Sequence, residues 1–76
     1  MKTRKDSVMS TLTFGQRLTA LRTAKGITQQ ELAEGLAVSN KTISKWENDH
    51  ALPDVYIFAR MAKLFDVTCD RLIAEE

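Results

Sequence analysis

Apolar residues recur every three or four positions from residue 14 onward, the spacing that gathers them on one face of an α-helix. The first such stretch follows Thr13, which lies three residues before Gln16 in the spacing of a capping box. Gly26 closes the stretch, because glycine adopts the positive φ of a helix C-terminus without steric cost. The pattern therefore predicts a first helix over residues 14–25.

Two shorter apolar patterns follow close together. Thr28 begins a second helix in a capping box with Glu31, and Ser39 is placed to cap a third helix over about residues 40–47. The apolar positions that face inward are Leu32, Ala33 and Leu36 in the second helix and Ile43 and Trp46 in the third. Because only about three residues separate these helices, they must cross at a steep angle, which predicts a helix-turn-helix unit.

A fourth helix is predicted after Asp54, with apolar residues on most of its circumference, as expected for the central helix of a small bundle. Thr68 is placed to cap a short fifth helix. Residues 1–12 are basic and lack apolar periodicity, so we interpret them as a flexible N-terminal arm. The predicted fold is all-α, a compact five-helix bundle formed by residues 13–74.

Composition narrows the classes of protein that fit this pattern. A chain of 76 residues with three glycines and one proline has little material for a turn-rich β fold and suits one small domain. No apolar run approaches the roughly 18 residues of a membrane span, and no apolar stretch follows the basic start as in a signal peptide. We therefore expect a cytoplasmic protein with no membrane partner.

Residues that carry catalytic or metal chemistry are few. The single cysteine, Cys69, excludes an internal disulfide and a multi-cysteine zinc site, and we expect it to be a small buried residue. His50 is the one histidine and lies far from Cys69 in sequence, and no Ser/His/Asp set or metal-ligand cluster is evident. The sequence therefore predicts no enzyme, no cofactor and no metal site, and it indicates no small-molecule ligand.

One side of the third helix carries only amide, hydroxyl and ammonium groups. Its residues are Asn40, Lys41, Ser44, Lys45 and Asn48, opposite the apolar pair. In the major groove of DNA, asparagine pairs with adenine and lysine donates to guanine. Because the net charge is only +1, DNA binding must depend on where the charges lie. The alternative is that this side is an ordinary solvated surface. Because it lies on the second of two closely linked helices, we favour DNA binding.

Glu47 is the one acid of the third helix and lies on its inward shoulder beside Trp46. Because an unpaired buried carboxylate is costly, we predict an ion pair between Glu47 and Arg22 of the first helix. The alternative is a Glu47 side chain that faces water. Arg17 and Lys25 are expected to be solvated charges.

The stretch ITQQELAEGLAVSNKTISKWEN over residues 27–48 resembles the phage repressor and Cro type of helix-turn-helix domain, also called the XRE family. The resemblance extends over about residues 14–73 and is most specific in TQxELA from Thr28 and ISxWE from Ile43. It implies a five-helix fold, binding of a dimer to an operator in double-stranded DNA, and transcriptional regulation.

The resemblance also implies roles for individual residues. Those implied to read bases are Asn40, Lys41 and Lys45, with Ser44 beside them, and those implied to contact phosphate are Gln29, Ser39 and Asn48. Gln29 is further implied to brace the first base-reading residue. Arg22 and Glu47 match an interior ion pair of the family, which agrees with the pair predicted above.

Two positions depart from the family pattern. Ala37 and Asp49 stand where the family often has glycine, so a positive φ is expected to be tolerated moderately by Asp49 and poorly by Ala37. Two further residues keep alternatives open. Trp46 either packs only in the core or also reaches a phosphate, and His50 either contacts a phosphate or is simply exposed.

Two functions fit these observations. The first is a transcriptional regulator, expected to be a repressor, that inserts the third helix into the major groove of a palindromic operator as a homodimer. The alternative is a protein–protein interaction module or antitoxin-like regulator on the same scaffold. The candidate dimer or partner surface consists of Tyr56, Ile57, Leu72 and Ile73.

Overall fold

The structure, a computed structural model, describes residues 12–73. Within that range the chain is helical and contains no strand, so the predicted all-α fold with five helices is confirmed. The helices are α1 (Phe14–Lys25), α2 (Gln29–Leu36), α3 (Asn40–Glu47), α4 (Val55–Phe65) and α5 (Cys69–Ile73). Residues 1–11 of the predicted arm, residue 74 and the side chain of Ile73 lie outside the described part.

Every helix begins at a residue whose side chain accepts a hydrogen bond from a backbone N–H of the first turn, which otherwise has no partner within the helix. The predicted caps are all present, and they are Thr13, Thr28, Ser39, Asp54 and Thr68. Thr13 and Thr28 form complete capping boxes, because Gln16 and Glu31 accept from their backbone N–H groups in return. These caps explain why the sequence defined the helix starts closely.

The four longer helices end in a shared pattern, in which a residue with positive φ is flanked by the two backbone hydrogen bonds of a Schellman motif. These residues are Gly26 at 78°, Ala37 at 59°, Asp49 at 61° and Asp66 at 58°. Ala37 and Asp49, which stand where the family often has glycine, therefore do have a positive φ, and the positive φ of Asp66 was not anticipated. For Ala37 the left-handed backbone costs about 1 kcal/mol.

The core lies between α1 and the helix-turn-helix pair on one side and α4 and α5 on the other. Its largest fully buried side chains are Leu18, Leu32, Leu36, Ile43, Met61 and Leu72. Although α4 packs against α1, α2 and α5, it is less enclosed than predicted. The side chains of Val55 and Tyr56 in its first turn are 72% and 78% exposed.

The expectations for Arg17 and Cys69 were wrong. Arg17 is 5% exposed rather than solvated, and its Nε donates to the Leu72 carbonyl over 3.0 Å while a terminal nitrogen donates to the Leu12 carbonyl over 3.0 Å. A guanidinium can be buried here because it satisfies carbonyls that have no helical partner. Cys69 is exposed rather than buried, because the first turn of α5 lies at the rim of the bundle.

Candidate nucleic-acid interface

The helix-turn-helix unit consists of α2, the connection at residues 37–39 and α3. The α3 helix packs against both α1 and α2 through Ile43, which is fully buried, and Trp46, which is 5% exposed. The burial of Trp46 fits its interpretation as a core residue. These contacts fix which side of α3 is turned away from the core.

The outer side of α3 is formed by the polar residues that the sequence analysis predicted to face DNA. Asn40, Lys41, Lys45 and Asn48 are exposed, and Ser44 between them is half-buried. Lys41 and Lys45 lie one helical turn apart, so their ammonium groups stand along the same face. No acidic side chain of α3 interrupts this face, since Glu47 points inward. The arrangement presents donors and acceptors of the kind that pair with base edges in a major groove.

The three predicted phosphate contacts are all engaged in hydrogen bonds within the domain. The Ser39 hydroxyl accepts from the Thr42 N–H over 3.1 Å as the cap of α3. The Asn48 amide donates to the Ser44 carbonyl over 2.8 Å at the end of α3. Gln29 is half-buried at the start of α2, and its Nε2 donates to Glu47 Oε1 over 3.0 Å. Their proposed contacts with phosphate remain predictions.

The predicted ion pair between α1 and α3 is present in the structure. Arg22 Nε lies 2.7 Å from Glu47 Oε2, and a terminal nitrogen of Arg22 also donates to the Ile27 carbonyl over 2.9 Å. Burial raises the pKa of the Glu47 carboxyl, but the hydrogen bonds from Arg22 and Gln29 outweigh that effect and hold the pKa below its ordinary value. Glu47 is therefore ionised at neutral pH and links α1, α2 and α3.

The candidate dimer surface is only partly where the sequence placed it. Tyr56 is exposed and Ile57 is half-buried, but Leu72 is fully buried in the core and cannot contribute to a surface. Leu72 faces inward because α5 packs against α1 and α4. The exposed large apolar side chains of the described residues are instead Leu52, Val55 and Tyr56, which we call the apolar patch.

Sequence reasoning missed one contact at this site. It treated Asp49 only as a substitute for glycine, whereas the Asp49 carboxylate accepts hydrogen bonds from Thr13 and Gly15 at the start of α1. Asp49 and Thr13 are separated by 36 residues, so no local pattern signals the contact. His50, the neighbouring residue, is exposed.

None of the helices between residues 12 and 73 has the length and apolar character to cross a membrane. Within the same range no three residues among histidine, cysteine, aspartate and glutamate are grouped so that they could hold a metal ion.

The sequence and the fold of this domain match a known family. A family model described as helix-turn-helix matches residues 18–72. The chain belongs to this helix-turn-helix family. The predicted resemblance to phage repressor and Cro-type domains is confirmed by the structural comparison: the P22 c2 repressor, solved in complex with a synthetic operator, superposes with a TM-score of 0.81 at 29% identity, over 87% of this chain and 100% of that one.

Relatives in sequence carry names of the same class. The HTH-type transcriptional activator BcrR of Enterococcus faecalis is 43% identical over 63 residues, which are 83% of this chain and 31% of that protein. The HTH-type transcriptional regulator ImmR of Bacillus subtilis is 32% identical over 65 residues, 86% of this chain and 51% of that protein. The chain thus spans a third to a half of the length of these relatives.

Proposed function

We propose that this domain binds double-stranded DNA sequence-specifically, with α3 inserted into the major groove, and thereby regulates transcription. The observation that carries the proposal is the outer face of α3, on which Asn40, Lys41 and Lys45 are exposed directly opposite the buried Ile43 and Trp46. In helix-turn-helix proteins the second helix of the unit enters the groove and its N-terminal residues meet the base edges. The relatives named as transcriptional regulators support this assignment.

A division of labour among the polar residues follows from their positions. Asn40, Lys41 and Lys45, with Ser44 beside them, read bases. Gln29, Ser39 and Asn48 lie at helix ends around α3 and contact phosphate, and the start of α2 offers free N–H groups and a favourable dipole for an anion. Phosphate contacts set orientation and base contacts set sequence preference, so the two sets should separate in an experiment.

The experiment is selection of binding sites from random duplex DNA by the wild-type chain and by single variants. Replacing Asn40 or Lys45 with alanine should cost about 1–3 kcal/mol on the preferred site and relax the preference at particular base pairs. Replacing Gln29 should weaken binding to all sequences more evenly. Lys63→Ala, which removes an exposed lysine of α4, is the matched control for the loss of one charge and should leave base preferences unchanged. Retention of every wild-type preference in the Asn40 and Lys45 variants would contradict the assignment of α3.

We further propose that the domain acts as a homodimer on a palindromic operator, weakly associated alone and firmly on DNA. A two-fold dimer should read half-sites about 10 bp apart. The apolar patch, with Tyr56 at 78% exposure, together with the half-buried Ile57 supplies a contact surface. Footprinting should therefore show paired half-sites at saturation, and protection of one isolated half-site would contradict the dimer.

Repression is the proposed effect on transcription, since a protein bound over a promoter blocks polymerase without any further contact. The relative BcrR is named an activator, so the direction of the effect needs a test. A reporter gene placed behind the selected site shows whether the domain represses or activates transcription. The proposal places the protein in the cytoplasm with the DNA that it binds.

A second candidate function is a protein–protein interaction module or antitoxin-like regulator. The apolar patch favours it, because Leu52, Val55 and Tyr56 expose 68%, 72% and 78% of their surface close together in sequence. The same selection experiment separates the two functions: an enriched palindromic motif supports DNA binding, and the absence of any enrichment supports the interaction module.

A further inference from the structure

The carboxylate of Asp49 joins the end of α3 to the start of α1. Its Oδ2 accepts from the Thr13 hydroxyl over 2.7 Å, and its Oδ1 accepts from the Gly15 backbone N–H over 2.9 Å. The Thr13 hydroxyl at the same time accepts from the Gln16 N–H. Two N–H groups of the first turn of α1 thus have separate acceptors, one local and one from a distant part of the chain. We call Thr13, Gly15 and Asp49 the Asp49 latch.

Gly15 allows this contact because it has no side chain. A Cβ at this position would lie 2.7 Å from the Trp46 carbonyl oxygen and closer still to that of Glu47. The last turn of α3 therefore rests directly on the backbone of the first turn of α1. This close approach brings Asp49 within reach of Thr13.

The backbone of Asp49 does not by itself explain why an aspartate stands there. Its φ of 61° closes α3 through the bonds from Asp49 N–H to Trp46 O and from His50 N–H to Lys45 O, a role that glycine fills with less strain. Asp66 has the same role at the end of α4, with a φ of 58°. Within the described residues the Asp66 carboxylate makes no hydrogen bond, whereas both oxygens of Asp49 are engaged. The side-chain contacts are what distinguish position 49.

We propose that Asp49 is a positioning residue for DNA binding, which holds residues 48–50 in the orientation in which they meet the DNA backbone. The inference rests on the proposed function. Asn48 is a proposed phosphate contact and His50 is exposed beside it, so both depend on the course of the chain directly after α3. The ion pair of Glu47 fixes α3 from the core side, and the latch fixes its end from the outside.

If Asp49 acts as the latch, its removal should change the affinity for DNA in the opposite direction from the removal of a simple exposed acid. An acid that merely stands beside the phosphates repels them, so its removal alone would strengthen DNA binding. In the latch, the carboxylate lies against the positive end of the α1 dipole, and hydrogen bonds from Thr13 and the Gly15 N–H hold its pKa below the ordinary value. Asp49 therefore stays ionised and bound to α1 at neutral pH, and its removal should weaken binding because residues 48–50 lose their fixed course.

The experiment compares Asp49→Gly with the matched control Asp66→Gly. Both variants remove one acid and both place glycine at a positive φ, but only the first breaks the latch. The dissociation constant for the selected duplex is measured by fluorescence anisotropy, and in the free protein the exchange rate of the Gly15 amide and the NMR relaxation of amides 48–50 are measured. If residues 48–50 are correctly placed in about a tenth to a third of the variant molecules, the dissociation constant of Asp49→Gly rises about three- to tenfold. Asp66→Gly should bind as the wild type does.

A second variant, Asp49→Asn, tests the latch in case Asp49→Gly does not fold. Asp49→Asn keeps a residue that tolerates positive φ and keeps one acceptor for Gly15, but its NH2 group cannot accept from Thr13, so its affinity should fall between those of wild type and Asp49→Gly. Binding by both Asp49 variants as tight as or tighter than wild type would overturn the latch. If the wild type binds no duplex, the proposed function fails separately. In that case an unchanged Gly15 exchange rate and unchanged order at residues 48–50 in Asp49→Gly would overturn the latch on its own.

Discussion

Replacement of Arg22 by alanine tests the link between the core and α3. The guanidinium makes two hydrogen bonds to the Glu47 carboxylate, at 2.7 and 3.3 Å, and one to the Ile27 carbonyl at 2.9 Å. It therefore connects α1 both to α3 and to the turn before α2. Alanine removes all three bonds and takes the cation from a Glu47 side chain that is only 6% exposed in the wild-type domain.

The expected cost follows from this geometry. Removing one partner of a fully buried ion pair costs about 3–5 kcal/mol. Here the Arg22 side chain is 15% exposed, and Glu47 keeps the amide of Gln29 at 3.0 Å, so both the burial and the loss of partners are incomplete. We expect the free energy of unfolding to fall by about 2–3 kcal/mol. For a domain of this size that corresponds to a decrease in Tm of about 10–20 °C.

The measurement is thermal unfolding followed by circular dichroism for Arg22→Ala, Glu47→Gln and the double variant. Once Glu47 is a neutral amide, Arg22→Ala should cost less, and the difference gives the coupling free energy. Lys25→Ala is the control, because this exposed lysine of α1 has no partner to lose among the described side chains and should change stability by less than about 0.5 kcal/mol. A Tm for Arg22→Ala within about two degrees of wild type would refute the structural role of the pair.

Three further predictions concern stability. Gly15→Ala should destabilise the domain by about 1–3 kcal/mol, because its Cβ would lie 2.7 Å from the carbonyl oxygen of Trp46, which belongs to the backbone of α3 and does not move as freely as a side chain. A denaturant titration equal to that of wild type would contradict this close approach. Ala37→Gly should raise the free energy of unfolding by about 0.5–1 kcal/mol, because it relieves the φ of 59°, and a lower Tm would show that the strain is absent. Glu47 and Asp49 both have lowered pKa values, so their contribution to stability is present at neutral pH and is lost as the pH falls through those values. Thermal unfolding measured across acidic pH should show this decline in stability, and the decline should be shallower in Glu47→Gln.

The helix boundaries were accessible from the sequence because their signals are local. Thr13 with Gln16 and Thr28 with Glu31 are three residues apart, so each capping box forms inside a single helical turn whatever the rest of the chain does. The bounds of α1 and α3 coincide with those predicted. The outer face of α3 was likewise accessible, because burial of Ile43 and Trp46 sets the direction of every other side chain on an eight-residue helix.

Charged residues were predicted well only where the sequence limited their choices. Glu47 is the one acid of α3 and lies on its inward shoulder, which left few alternatives to a partner on α1. Arg17 offered no such limit, because its partners include the carbonyls of Leu12 and Leu72, and any residue can supply a carbonyl. The burial of Leu72 and the exposure of Cys69 similarly depend on where α5 crosses the bundle.

By itself, then, the sequence determined the elements of this protein, their caps, the inward sides of α2 and α3 and the resemblance that identifies the family. The tertiary structure alone decided which distant groups meet: Asp49 with the first turn of α1, Gln29 with Glu47, and Arg17 with the end of α5. The physical reason is the separation along the chain over which each kind of interaction acts. Capping and periodicity act within about a turn of helix, whereas a hydrogen bond across 34 or 36 residues exists only after the core has packed and brought two helix ends together.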